Sequence, residues 1–333
     1  MPKLTVKTLR DLNQEQIITL LDSGILAPEP KKIRFYAPSF AHYKTKQYAS
    51  HTTDFPTISV TGTSCALKCK HCGGKILQTM HAALSTKELF ELCAQLKRDG
   101  AKGCLISGGC LPDGSVPLDP FVPTIAAIKR ELALTIFVHT GIINLQTAKA
   151  LKAAGVDAAL IDVIGSAQTI RKTLNLSVTP RDYLVSLKAL NESMLNFVPH
   201  VIVGLNGGKL GGEFEALKMI SHVKPSAIVI IAFMPIHETA MAKTPPPISS
   251  DIAKVTALAR LMFPKTPLLL GCMRPKGSAR GETDVLALKA GVDGVAFPSE
   301  EAIKYAENKG FEVSFSAYCC AQLFMDATER TKR

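Results

Sequence analysis

Three cysteines carry the clearest chemistry in this chain. Cys65, Cys69 and Cys72 follow a C-x3-C-x2-C spacing, with His71 directly before the third. Thiolates are soft ligands suited to iron–sulfur clusters. A compact loop with three of them can hold three irons of a 4Fe–4S cubane and leave the fourth iron without a protein ligand. An open iron can bind and activate a small molecule. Structural zinc is the competing reading, because Cys65, His71, Cys69 and Cys72 make a formal set of four ligands. His71 adjoins Cys72, however, and adjacent residues rarely reach one metal together.

Other reactive residues stand at the ends of short apolar runs. Gly108-Gly109-Cys110, His139-Thr140-Gly141, Asp162, and Cys272 with Arg274 are the examples. Strands are expected over 57–61, 103–107, 135–140, 158–163, 199–204, 227–233, 267–272 and 294–298, each rich in Val, Ile or Leu. Such runs suit strands covered on both faces of a parallel sheet. Between them the apolar 3–4 spacing predicts helices over 86–98, 145–154, 180–190, 214–222, 250–263 and 283–290. Ser85 is the expected N-cap of the first, and Gly100 its stop.

Eight strand–helix units in series are the plan of an α/β fold, a (β/α)8 TIM-type barrel. A doubly wound open sheet is the structural competitor. In a barrel the residues above would converge at the C-terminal ends of the strands, where such folds place their chemistry. The expected organisation is an N-terminal extension or cap over 1–54, the barrel over 55–300, and a C-terminal helix with a cysteine-bearing tail over the mouth at 301–333. Within the extension, a short helix is expected over 11–21, ended by Asp22-Ser23-Gly24, then a basic aromatic stretch from Lys31 to Tyr36.

Composition narrows the classes. The chain has 333 residues, of which 47% are apolar and 20% charged, so it can bury a substantial core. No apolar run is long enough to span a membrane, and Met1-Pro2-Lys3 does not open a signal peptide. A cytoplasmic location is the expectation. Nine cysteines, an odd number with two of them adjacent, argue against a disulfide framework and for metal or catalytic use. The net charge of +11 suits an acidic partner, although the lysines are scattered and form no dense run.

The cysteine motif after a first strand resembles the signature of the radical S-adenosylmethionine (SAM) superfamily. The resemblance implies that SAM chelates the open iron and is cleaved to methionine and a 5′-deoxyadenosyl radical, which abstracts a hydrogen atom. Ser107-Gly108-Gly109 is similar to the Gly-Gly-Glu motif that contacts the SAM amino group, with Cys110 where the acid usually stands. The run from His200 to Leu205, including Val203 and Gly204, resembles the strand near the adenine. The same resemblance places His71 and His139 at the SAM site, and Asp162 at a ribose hydroxyl or, alternatively, in a loop cap.

The C-terminal half resembles biotin synthase in order and spacing. The matching segments are Phe233 to Ala240, Thr244 to Pro247, Ala257 to Arg260, Leu270 to Arg274 and Ala290 to Gly294. Within that branch the chain is most similar to the two-component archaeal-type lipoyl synthase. This implies insertion of sulfur into an octanoyl chain on a lipoyl-carrier protein, either an H protein or a lipoyl domain. It also implies a homologous second radical SAM component and an electron donor such as ferredoxin or flavodoxin. Sulfur insertion requires a second, auxiliary 4Fe–4S cluster as sulfur source. Its expected ligands come from Cys110, Cys272, Cys319 and Cys320, with Arg274 as a nearby ligand or substrate contact, whereas Cys93 and Cys104 read as core. The alternatives are a radical SAM enzyme for a free small molecule such as dethiobiotin, an RNA-modifying protein and a structural metal-binding protein. No RRM, KH or OB signature supports the nucleic-acid reading.

Overall fold

The computed structural model describes residues 4–27, 32–38, 43–49 and 54–330, apart from the side chains of 320 and 327–330. Residues 1–3 and Lys31 lie outside the described residues, as does the side chain of Cys320. Among the described residues eleven strands form one sheet: β1 (Lys32–Tyr36), β2 (Thr57–Ser59), β3 (His81–Ala82), β4 (Gly103–Ser107), β5 (Thr135–His139), β6 (Ala158–Asp162), β7 (Phe197–Val203), β8 (Ile228–Ala232), β9 (Leu268–Leu270), β10 (Gly294–Ala296) and β11 (Glu312–Ser316). The order is β11-β1-β10-β9-β8-β7-β6-β5-β4-β2-β3, and each pairing is parallel.

From β4 to β10 each strand lies beside its predecessor, so the order never reverses. A doubly wound sheet requires such a reversal, and the TIM-type reading holds. The eight strands expected from the apolar runs are β2 and β4 to β10. The N-terminal stretch adds β1, inserted between β10 and β11, so part of the expected cap belongs to the sheet.

The strands form because their residues are covered on both faces. Ile136, Phe137 and Val138 of β5 are buried, and so are Ala158 to Ile161 of β6. One set faces the surrounding helices. The other faces inward, where Tyr36, Phe55, Phe137, Leu160, Val198 and Leu269 form a single cluster. These residues come from both ends of the sheet, and only a curled sheet brings them together. Ala321 and Leu323 of the C-terminal tail join that cluster, and Asp326 accepts a hydrogen bond from Tyr36 Oη at 2.7 Å. The tail is thereby tied into the barrel.

Helix Thr86–Arg98 shows the local rules at work. Ser85 and Glu88 form a reciprocal capping box, while Leu89, Cys93 and Leu96 point into the core at 3–4 spacing. The helix expected over 11–21 is present as Gln14–Asp22, and a further short helix, Val6–Asp11, precedes it. Leu12 is extended, and Asn13 caps the second helix through Gln16, so a local side-chain bond interrupts the periodic pattern. Helix Val122–Leu132 between β4 and β5 was not expected from periodicity; its start, with Pro123 at the first turn, follows a 3-10 turn rather than a capping residue.

Candidate functional site

The three-cysteine loop leaves the barrel directly after β2 and is held from several sides. Asn175 Nδ2 donates to the carbonyls of Leu67 and Lys68 at 3.1 and 3.2 Å, and the Lys70 amide donates to Thr173 O at 2.8 Å. The Met241 amide donates to Lys70 O, and Lys75 pairs with Glu238. Lys68 takes a positive φ of 44°, a conformation that costs a non-glycine residue energy and persists only where neighbours fix it. These contacts hold the loop in a tight turn over the strand ends.

Within it the sulfurs converge. Cys69, His71 and Cys72 place one ligand atom each within 4.8 Å of one another. Cys69 Sγ also lies 3.3 Å from Leu174 O. A hydrogen bond from Cys69 stabilises the Cys72 thiolate and outweighs the cost of burial, so the Cys72 thiol is pushed down to about 4. Cys69 is correspondingly pushed up, first by that shared bond and then by burial. Cys65 lies close enough to raise both Cys69 and Cys110. His71 Nδ1 is buried with no hydrogen-bond partner among the described residues. Clustered soft donors beside an orphaned polar atom fit a cluster-binding loop.

The end of β4 forms the opposite wall. The Gly109 amide donates to Thr61 Oγ1 at 2.7 Å, and the Ala66 amide to Cys110 O at 2.9 Å. A Cβ on Gly109 would lie 2.0 Å from Ser64 O and 2.6 Å from Cys65 Cβ. Glycine is thus required for the cysteine loop to approach. Gly109→Ala is expected to displace the loop and reduce the iron retained after anaerobic reconstitution, while Gly100→Ala, which meets nothing within 4 Å but sits at positive φ, lowers only thermal stability. Equal iron in Gly109→Ala and the unaltered chain would contradict the steric argument.

Both walls open on one cavity of about 400 Å³. Cys65, Cys69, His71 and Cys72 line it, as do Ser107, Gly108, Gly109 and Cys110, His139 and Asp162, and Cys272 and Cys319. The structure therefore gathers onto one space most of the residues singled out from sequence. Val203 and Gly204 stand just behind it, with neighbours Ile202 and Leu205 on the lining. Gly204 has φ of 78° and packs against Pro247, and its amide donates to Glu213 Oε1 at 2.9 Å. Burial pushes the Glu213 carboxyl up, against the amides of Gly204 and Gly211 that it accepts.

The remaining cysteines separate. Cys110 adjoins Cys65, and burial followed by the Cys65 and Asp162 charges pushes its thiol up to about 12. Cys272 and Cys319 both pack against the inward apolar cluster and reach the cavity. Cys93 and Cys104 are fully buried, and Cys104 is held protonated by its bond to Cys93 and by burial. They are core residues, as their patterns implied.

Arg274 departs from its expected place at the mouth. Its side chain is 0% exposed and pairs with the equally buried Asp284 at 2.8 Å. It also donates to the carbonyls of Gly271 and Phe297. A guanidinium must satisfy its donors when buried, and here the protein does so away from the cavity. Arg274 thus fixes the loop after β9, the loop that carries Cys272, rather than meeting a substrate.

His200 was not singled out as a side chain in the sequence. It lines the cavity, opposite Asp162 in the β6–β7 register. The period-two alternation of β7 could have shown that His200 shares a face with Val198 and Ile202. Only the register shows which residue it meets.

Comparison with known proteins agrees with this geometry. Residues 59–211 match the radical SAM superfamily. Biotin synthase from Leptospira biflexa is 25% identical over 63% of this chain and 60% of its own length. Biotin synthase from Buchnera aphidicola is 24% identical over 76% of the chain and 74% of its own length. Among solved structures, methylornithine synthase PylB superposes with a TM-score of 0.61 at 17% identity, covering 93% of each chain. The FeFe-hydrogenase maturase HydG from Carboxydothermus hydrogenoformans gives 0.60 at 15% identity, over 94% of this chain and 76% of its own. The first of these matches spans less than two thirds of its relative, and the structural likeness at such identity concerns the fold. The cysteine loop that follows β2 lies within the segment that matches the radical SAM superfamily, and the chain is similar in sequence to biotin synthases.

Proposed function

We propose that this protein is a radical SAM sulfur-insertion enzyme acting on a protein-bound octanoyl chain, as one component of a lipoyl synthase. The observation that carries the reading is the joint lining of one largely apolar cavity by the three-cysteine loop and by two further cysteines, Cys272 and Cys319. Sulfur must be held within bonding reach of a carbon activated by the first centre, and these two groups share one space.

Cys65, Cys69 and Cys72 would hold the SAM-binding 4Fe–4S cluster, and backbone groups of Ser107, Gly108 and Gly109 would meet the SAM amino group. When bound, cluster and SAM together supply a radical able to remove hydrogen from an unactivated carbon. The protein's own part is orientation and exclusion of water. Leu67, Leu77, Met80, Ile142, Leu174 and Ile231 line the cavity and offer an alkyl chain a dry path. Ile76 lines the same cavity and is 40% exposed, which suits a chain that enters from a carrier. The net charge of +11 suits an acidic carrier of H-protein or lipoyl-domain type. A homologous second component and a ferredoxin or flavodoxin donor complete the reading.

Cys272 and Cys319, with Cys320 as the neighbouring residue in the tail, are assigned to an auxiliary 4Fe–4S cluster. Cys110 belongs with the first loop by position. Iron counted in the anaerobically reconstituted chain tests this: about eight atoms should fall to about four in the Cys65/Cys69/Cys72→Ala triple variant. Cys272→Ala and Cys319→Ala are each expected to retain 5′-deoxyadenosine formation and lose sulfur transfer to an octanoylated carrier, read by mass spectrometry. Four atoms falling to none would reject the auxiliary cluster, and sulfur transfer surviving in both single variants would reject these ligands.

The second reading, a free small-molecule substrate, draws on the biotin synthase relatives. It predicts turnover of dethiobiotin without any carrier.

A further inference from the structure

The inward face of the barrel is layered. Leu105, Phe137, Leu160, Val198, Val229 and Leu269 form an apolar floor, each two residues before the next inward position of its strand. One layer nearer the mouth, β4 to β7 contribute Ser107, His139, Asp162 and His200, whereas β8 contributes Ile231. One side of this layer is therefore polar, directly above a dry floor.

We propose that His139, Asp162 and His200 form a binding site for a divalent first-row metal ion of the Fe2+, Mn2+ or Zn2+ class, separate from the three-cysteine loop. Their ligand atoms lie within 4.8 Å of one another. Two imidazoles and one carboxylate are a donor set that binds these ions with coordination positions left open. Three further observations bear on the assignment.

The Asp162 carboxylate faces the cavity with its side chain 38% exposed, and His139 Nε2 lies 3.6 Å from Oδ1. His200 Nδ1 lies 3.1 Å from Val198 O and donates to it, which leaves the lone pair on Nε2. A backbone carbonyl fixing one ring nitrogen is the arrangement that orients a metal-binding histidine. Finally, the three residues come from adjacent parallel strands, β5, β6 and β7, whose register places Asp162 beside His200 and His139 one step away. The rings of His139 and His200 are 5.9 Å apart, so they flank the carboxylate without stacking.

The remaining positions of such an ion would face the cavity and its contents. It would take an oxygen, nitrogen or sulfur atom of a bound molecule and hold it above the apolar floor. This use of His139 and Asp162 differs from contact with SAM, and it does not depend on the sulfur-insertion reading.

The test is metal counting on the full chain with its iron–sulfur content reconstituted. Anaerobic equilibrium dialysis against Zn2+ should load about one zinc per chain beyond the iron. His200→Ala and Asp162→Asn should each lose that zinc while keeping the iron, which shows that both variants fold. Zinc retained in both variants, or no zinc loaded by the unaltered chain, overturns the proposal. A second measurement covers the case where either variant loses its iron. In the Cys65/Cys69/Cys72→Ala chain, Co2+ should give d–d absorption without a thiolate-to-cobalt band. A thiolate band there would assign the ion to Cys272 or Cys319 and would equally overturn the site.

Discussion

Alanine in place of Cys65, Cys69 or Cys72 is expected to abolish 5′-deoxyadenosine formation from SAM and to remove about four irons per chain. The argument is geometric. Cys69 and Cys72 share a hydrogen bond and lie with His71 within 4.8 Å, and Cys65 abuts Gly109 across the loop. With one thiolate missing, a second iron loses its protein ligand, and the cluster is no longer held by three points. Cys69 is only 8% exposed and packs with the core, so its loss could act through folding. Cys93→Ala is the control, because Cys93 is fully buried yet remote from the cavity lining. It should lower stability and leave iron and SAM cleavage intact. The check is chromatographic quantitation of 5′-deoxyadenosine beside iron analysis, and undiminished cleavage in Cys72→Ala would remove the basis for the cluster assignment.

Asp284→Ala is expected to destabilise the protein by ~3–5 kcal/mol, the usual consequence of leaving buried charges without their partner. Asp284 Oδ1 accepts from Arg274 Nε, and Oδ2 accepts the Ser299 amide at 2.9 Å and faces Arg280 Nε at 3.4 Å. Burial and the neighbouring Arg274 charge push Arg280 down to about 10, against the favourable pull of Asp284. Two guanidiniums therefore depend on one carboxylate. Without it they repel one another at the point where the loop after β9 meets helix Ala279–Lys289. Arg274→Ala should also be destabilising, whereas a group in contact with substrate would lower turnover at unchanged stability. Denaturant unfolding measures both variants, and an Arg274→Ala protein of normal stability but no activity would return Arg274 to the reaction.

The sequence by itself determined the architecture and the first centre. Strands covered on both faces are mostly apolar, so β4 to β8 are visible as short apolar runs, and Gly103–Ser107 stands where it was expected. The three cysteines are legible because one short loop carries all of them. Local boundaries were harder to read: Asn13 caps through Gln16, so the helix expected from Asp11 starts at Gln14.

What only the tertiary structure decided were the pairings between distant residues. Arg274 follows β9 and resembles a site residue in sequence, yet Asp284 on the following helix takes its charge out of the cavity. Cys272 and Cys319 reach one space because the tail folds inward. The meeting of His139, Asp162 and His200 depends on strand register. A shift of one residue turns a side chain to the other face of the sheet. Spacing within one strand fixes which residues share a face, but the neighbours across the sheet are set by the packing of the whole barrel.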